Sequence, residues 1–164
     1  MSAPTTDSEE RRYAELQLLA LDHARHGERE LLELMLKAGL PVNLSDPKGN
    51  SLLMLASYNG HLDCTRMLLE NGADPDRRND RGQTPLGGVA FKGELTIVNL
   101  LLHHGADLDA DNGAGMTPIM FASLFGRMNV VAQLQSAGAS LKTRNRFGVS
   151  AALMVRVARA IKGT

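Results

Sequence analysis

Apolar residues fall along this chain in short bursts at helical spacing, as in Leu95, Val98, Leu101 and Leu102. Polar stretches rich in Asn, Asp, Arg and Gly separate the bursts, which predicts short helices joined by turns. Glycines punctuate the pattern at one interval. Gly27, Gly60, Gly93 and Gly126 form one series, Gly39, Gly72, Gly105 and Gly138 a second, and Gly49, Gly82, Gly115 and Gly148 a third. Every step within each series is 33 residues. A period of that length means stacked supersecondary units rather than one core around a catalytic cleft. Each unit reads as a turn plus two antiparallel helices, and none could bury its apolar face alone.

The ends of the predicted helices carry their own signals. Thr84-Pro85 and Thr117-Pro118 open first helices, with threonine placed to cap free amides and proline where no donor is needed. The Gly49 series lies in turns that call for positive φ, and the Gly39 series sits just past a second helix, the usual left-handed C-cap site.

Laid in register, the copies read DPKGNSLLMLASYNGHLDCTRMLLENGADPDR from Asp46, NDRGQTPLGGVAFKGELTIVNLLLHHGADLDA from Asn79 and NGAGMTPIMFASLFGRMNVVAQLQSAGASLKT from Asn112. A degenerate copy, ALDHARHGERELLELMLKAGLPVN, precedes them from Ala20. From about Glu9 to about Ile161 the chain resembles the ankyrin repeat, with its T-P-L opening and G-A-D ending. The resemblance implies an all-α ankyrin-repeat solenoid of stacked helix-turn-helix units with projecting β-turn or hairpin fingers. It divides the chain into a disordered tail (1–8) and one domain (9–164). Within that domain lie a capping unit (about 9–45), full repeats (46–78, 79–111 and 112–144) and a truncated terminal repeat (145–164). The family's histidine after T-P-L is absent, and Met54, Gly87, Met120 and Leu153 take its place. Gly87 and Gly88 inside a helix have two explanations. One is a soft segment; the other is steric, with Met120 and Phe121 of the next repeat filling the missing volume.

Composition narrows the biology. No run approaches the roughly 18–20 apolar residues of a membrane span. The polar, acidic start MSAPTTDSEERR does not read as a secretory leader, and Cys64 is the sole cysteine. A reducing, cytoplasmic setting is the expectation. The net charge of zero conceals a division: 11 basic and 18 acidic residues lie at or before Asp111, and seven basic residues with no acid follow. Such a division steers association. It leaves docking of an acidic protein, contact with nucleic acid or anionic lipid, and head-to-tail self-association as readings. Nucleic acid is the weakest, because the basic end holds no binding motif and only Phe147 for stacking. A monomer is expected, since the charged first helix, with Glu10, Arg11 and Arg12, suits a solubilising cap.

Catalytic chemistry finds no frame. Asp107, Asp109 and Asp111 alternate like the start of a calcium loop, but Asn112 stands where its glycine belongs and Pro118 where its closing glutamate belongs. His103-His104 and the pair His23 and His26 lack nearby cysteines or an H-E-x-x-H frame. Gly113 to Gly115 lacks the Gly-Lys-Ser/Thr of a phosphate loop. No enzyme, cofactor or metal is expected.

A recognition surface remains. The resemblance places partner contacts on the outward side of the first helices and on the turn tips, the concave face. Matching helix positions include Tyr58, Asn59, Phe91, Lys92, Leu124 and Phe125. Matching turn positions include Arg78, Arg81 and Gln83, and the basic turn adds Arg144 and Arg146. Tyr58 and Phe91 are either exposed anchors or, one repeat apart, packed on each other. The expected function is non-enzymatic binding of an unidentified protein partner. The alternative is an inhibitor or immunity-type protein that blocks an enzyme or toxin.

Overall fold

The computed structural model describes residues 7–163, and among them the chain forms nine helices and no extended strand. Helices α1 (Asp7–His26) and α2 (Arg29–Lys37) form the first pair. Next come α3 (Leu52–Tyr58) with α4 (Leu62–Glu70), and α5 (Pro85–Lys92) with α6 (Leu95–His103). A fourth pair, α7 (Pro118–Leu124) and α8 (Met128–Ser136), is followed by the single helix α9 (Ala151–Lys162). The first helices stack in one row, α1 on α3 on α5 on α7 on α9, and the second helices stack behind them in another. One core runs the length between the rows, through Leu32, Leu52, Leu68, Leu86, Leu101, Ile119 and Leu134, all buried. The stacked-helix, all-α expectation therefore holds.

All twelve glycines of the three series have positive φ, between +64° and +100°. At Gly49 the demand is double, because an added Cβ would come within 2.6 Å of the Asp80 carboxylate in the next turn. The turns thus touch tip to tip, and the interval of 33 residues is the interval between those contacts.

The expected hairpin fingers are a correction. Between the helix pairs the chain makes only isolated antiparallel bridges, Ser45 with Ser51 and Arg144 with Ser150. A side chain closes each turn before a strand pair can extend. Asp46 Oδ1 accepts the amides of Lys48 and Asn50, and Asn79 Oδ1 those of Arg81 and Gln83. Asn145 Oδ1 does the same for Phe147 and Val149. This Asx closure reverses the chain within four residues.

At the N-terminal end α1 already includes Asp7 and Ser8, which were expected in the tail; the rest of that tail lies outside the described residues. Arg11 pairs with Asp7 one turn earlier. By the repeat register only residues 19–26 match the other first helices, so 7–18 is an N-terminal extension of the helix.

Candidate partner-binding surface

Tyr58 ends α3, Phe91 lies near the end of α5, and Phe125 caps α7, so the stacking of first helices sets three rings in a row. Tyr58 and Phe91 stack nearly parallel with centroids 6.4 Å apart, and Phe91 meets Phe125 edge-on at 4.3 Å. Tyr58 is 40% exposed and Phe125 44%, while Phe91 between them is half-buried. The two arrangements foreseen for Tyr58 and Phe91 therefore coexist: the rings pack on each other and still face solvent. The Lys92 ammonium sits 5.1 Å from the Tyr58 centroid, within cation–π reach. Leu124 extends the row as an exposed apolar side chain.

Beside this row lies a recess of about 190 Å³, walled by Tyr58, Phe91, Phe121 and Phe125 and completed by Gly87, Gly88, Gln83 and Asn112. The steric explanation of the glycine pair holds at Gly87 with a different neighbour. A Cβ there would fall 2.0 Å from Asn112 Oδ1, and one on Gly88 would come within 3.2 Å of the Tyr58 ring. Met120 and Phe121, expected to fill this volume, are not the closest neighbours of either glycine. Asn112 instead turns inward, where its Oδ1 accepts from the Thr84 amide (2.7 Å) and hydroxyl (3.0 Å). Its Nδ2 donates to the Ala110 carbonyl, so the buried amide is satisfied at both ends. Asp111 takes over the turn that Asn112 has left, accepting from Gly113 and Gly115.

The remaining anticipated residues separate into groups. Asn59 is not free for a partner, because its Nδ2 donates 2.7 Å to the Leu55 carbonyl at the end of α3. Gln83 is half-buried and accepts from Asn79. With Arg81 it lines a shallow cleft of about 380 Å³ between two turn tips, together with Lys48, Asn50 and Asp80. Arg78 is exposed outside that cleft. Arg144 donates to the Gly148 carbonyl at 2.6 Å, and the Arg146 guanidinium covers the Phe147 ring at 4.7 Å. Neither arginine joins the aromatic row. Asn112 and Phe121 were not anticipated as site residues, and neither was a wider cleft between α1 and the 46–50 turn, about 960 Å³ and carrying Leu18, Leu19, Glu15, Asp22 and Asp46. The legible signal for Asn112 was an acid just before it and glycines after it, where the other turns have Ser45, Arg78 or Arg144 in that place.

The aspartates that imitate a calcium loop bind backbone instead. Asp107 Oδ1 accepts the Asp109 amide, Asp109 Oδ1 the Ser140 amide of the next repeat, and Asp111 Oδ1 the amides of its own turn. One repeat earlier, Asp76 Oδ1 accepts the Asp107 amide in the same way. Burial raises the Asp76 pKa above its ordinary value despite that bond. Burial also pushes the Cys64 thiol up to about 11, leaving it protonated and inert at neutral pH. Among the described residues no three metal-capable side chains gather, and no helix is long and apolar enough to cross a membrane.

The model of ankyrin repeats (3 copies) matches residues 20–112 and 74–145, most of the chain. The chain belongs to the ankyrin-repeat family. It is 56% identical over 46 residues to an ankyrin repeat protein of Pseudomonas aeruginosa, covering 28% of this chain and 27% of that one. It is 48% identical over 44 residues to the human ankyrin repeat domain-containing protein 29, covering 26% of this chain and 15% of the relative. The chain thus matches well under a third of the length of either relative. Ankyrin-repeat folds generically mediate protein–protein interaction and are typically non-catalytic scaffolds.

Proposed function

We propose that this ankyrin-repeat protein binds a partner protein through the concave face, with the row Tyr58, Phe91 and Phe125 as its centre. The observation that carries this reading is the recess beside the row. Four aromatic rings, with Gly87, Gly88, Gln83 and Asn112, line a recess of about 190 Å³ with space for an apolar side chain of the partner. Aromatic anchors at a desolvated centre with polar groups around them are what binding hot spots consist of. Lys92 and Arg81 supply such a rim. The protein acts without chemistry of its own.

Site-specific photo-crosslinking from Leu124, beside the row, and from the exposed Arg66 on α4 tests the proposal. Cross-links to one defined protein should form from Leu124 and not from Arg66. Tyr58→Ala with Phe91→Ala should weaken that complex by about 2 kcal/mol or more while the fold persists. Equal cross-linking from both positions, or an unweakened complex in a folded double variant, overturns it.

A further inference from the structure

The two ends of the stack carry a second, independent feature. Leu19, Leu31 and Leu34 on α1 and α2 are 49%, 50% and 63% exposed. Their counterparts one repeat later, Leu52, Cys64 and Met67, are 0%, 1% and 2% exposed, because α1 and α2 cover them. The first pair therefore presents to solvent apolar positions whose counterparts in the next repeat are buried against it. Leu16 adds to the patch. A closing unit needs a polar outer face, and the charged side chains of α1 do not supply one across these leucines.

The opposite end repeats the situation. Leu153 on α9 is exposed, whereas Met120 at the same register is fully buried beneath the following helix. Ala152 and Arg156 beside it are exposed as well, whereas Ile119 and Ser123 at their registers are buried.

Charge distinguishes the possible occupants. Within α1, α2 and the turn between them, ion pairs engage Asp7, Asp22, Glu28 and Glu33. Glu9, Glu10, Glu15 and Glu30 have no ion-pair partner among the described residues. Helix α9 carries Arg156, Arg159 and Lys162 and no acid. Joining two first ends would set acid against acid, and joining two last ends base against base. Only the first end of one molecule on the last end of another pairs opposite charges around apolar centres.

We propose that this chain self-associates head to tail, with α9 of one molecule docking on the α1–α2 face of a second copy. The contact continues the stacking of helix rows from one molecule to the next. Because its two surfaces differ, it does not close on itself at two copies and builds open series. This inference does not depend on the concave-face reading, since no residue of the aromatic row takes part.

Sedimentation velocity on wild type and two folded variants provides the test. Leu31→Lys with Leu34→Lys breaks the head, and Leu153→Glu with Arg156→Glu breaks the tail. At low salt the wild-type mass should rise with concentration past about twice the monomer, as an open series requires. Each variant alone should stay monomeric, and an equimolar mixture should form a dimer and stop there, through its one intact head and tail. A wild type that remains monomeric at its highest soluble concentration overturns the proposal. So does a mixture that stays monomeric, or a tail variant that dimerises alone, which would mean symmetric head pairing. Melting temperatures near wild type show that the exposed substitutions leave the stack folded.

Discussion

Two helix starts one repeat apart, Thr84-Pro85 and Thr117-Pro118, share a sequence and end in different arrangements. At the first, the Thr84 hydroxyl accepts from Gly87 and donates to Asn112 Oδ1, which also takes the Thr84 amide. At the second, Thr117 Oγ1 is buried with no hydrogen-bond partner and does not cap α7. The expected threonine cap is thus present at one site and absent at the other. The residue that could have rescued Thr117 is Asn145, one repeat after Asn112, but Asn145 stays in its own turn. Met120 also fills the position that Gly87 leaves vacant. Releasing Asn112 has a cost in its turn, where Ala114 adopts φ +58° between two left-handed glycines. Such a backbone costs a residue with a Cβ roughly 1–2 kcal/mol. The difference teaches that the repeats do not share one solution at this helix start: an amide from the next repeat satisfies the threonine only where a glycine makes room.

The strongest way to break this comparison is Gly87→Met, which copies Met120 into the Asn112 site. Expulsion of Asn112 and overpacking should cost about 3 kcal/mol, read as a lower urea midpoint. Combining it with Asn112→Ala should cost less than the sum of the two single changes, because each removes the other's partner. Alone, Asn112→Ala should cost about 2 kcal/mol by leaving the buried Thr84 amide and hydroxyl short of a partner.

A pair of threonine substitutions sharpens the contrast. Thr84→Val should destabilise by about 1 kcal/mol. Thr117→Val should be neutral or slightly stabilising, since its hydroxyl has no partner to lose. Equal losses at the two positions would show that the sites do not differ in solution.

The smallest effect concerns the turns themselves. Burial pushes the Asp46 carboxyl up, but hydrogen bonds from the Asn50 side chain and from the Asn50 and Lys48 amides outweigh it, so the net shift is downward. Its contribution to stability is therefore present above the ordinary carboxylate value and lost as the pH falls through the lowered one. Asn79 and Asn145 perform the same closure without titrating. Asp46→Asn should flatten the acid limb of the melting profile below about pH 4, the ordinary carboxylate value. Asp76 titrates with the opposite sign, because burial raises it. The informative quantity is accordingly the difference between wild type and variant.

Much of this architecture was legible in residues that act locally. Left-handed glycines, proline at a first helical position and apolar spacing each constrain a few consecutive residues, and their recurrence revealed the stack. The aromatic row was legible too, because Tyr58 and Phe91 differ by one period. Three features were not. The recess depends on Asn112 choosing Thr84 over its own turn. The loss of Asn59 to the end of α3 depends on a rotamer. Exposure at the ends depends on what is absent next to a leucine rather than on the leucine.

By itself the sequence determined the period, the helix pairs and the left-handed turns, since each follows from backbone sterics within a few residues. Only the tertiary structure decided which of two identical threonines is satisfied, where the glycine pair opens space, and which leucines stay wet. Those outcomes depend on side chains some thirty residues apart meeting, or failing to meet, in the stack.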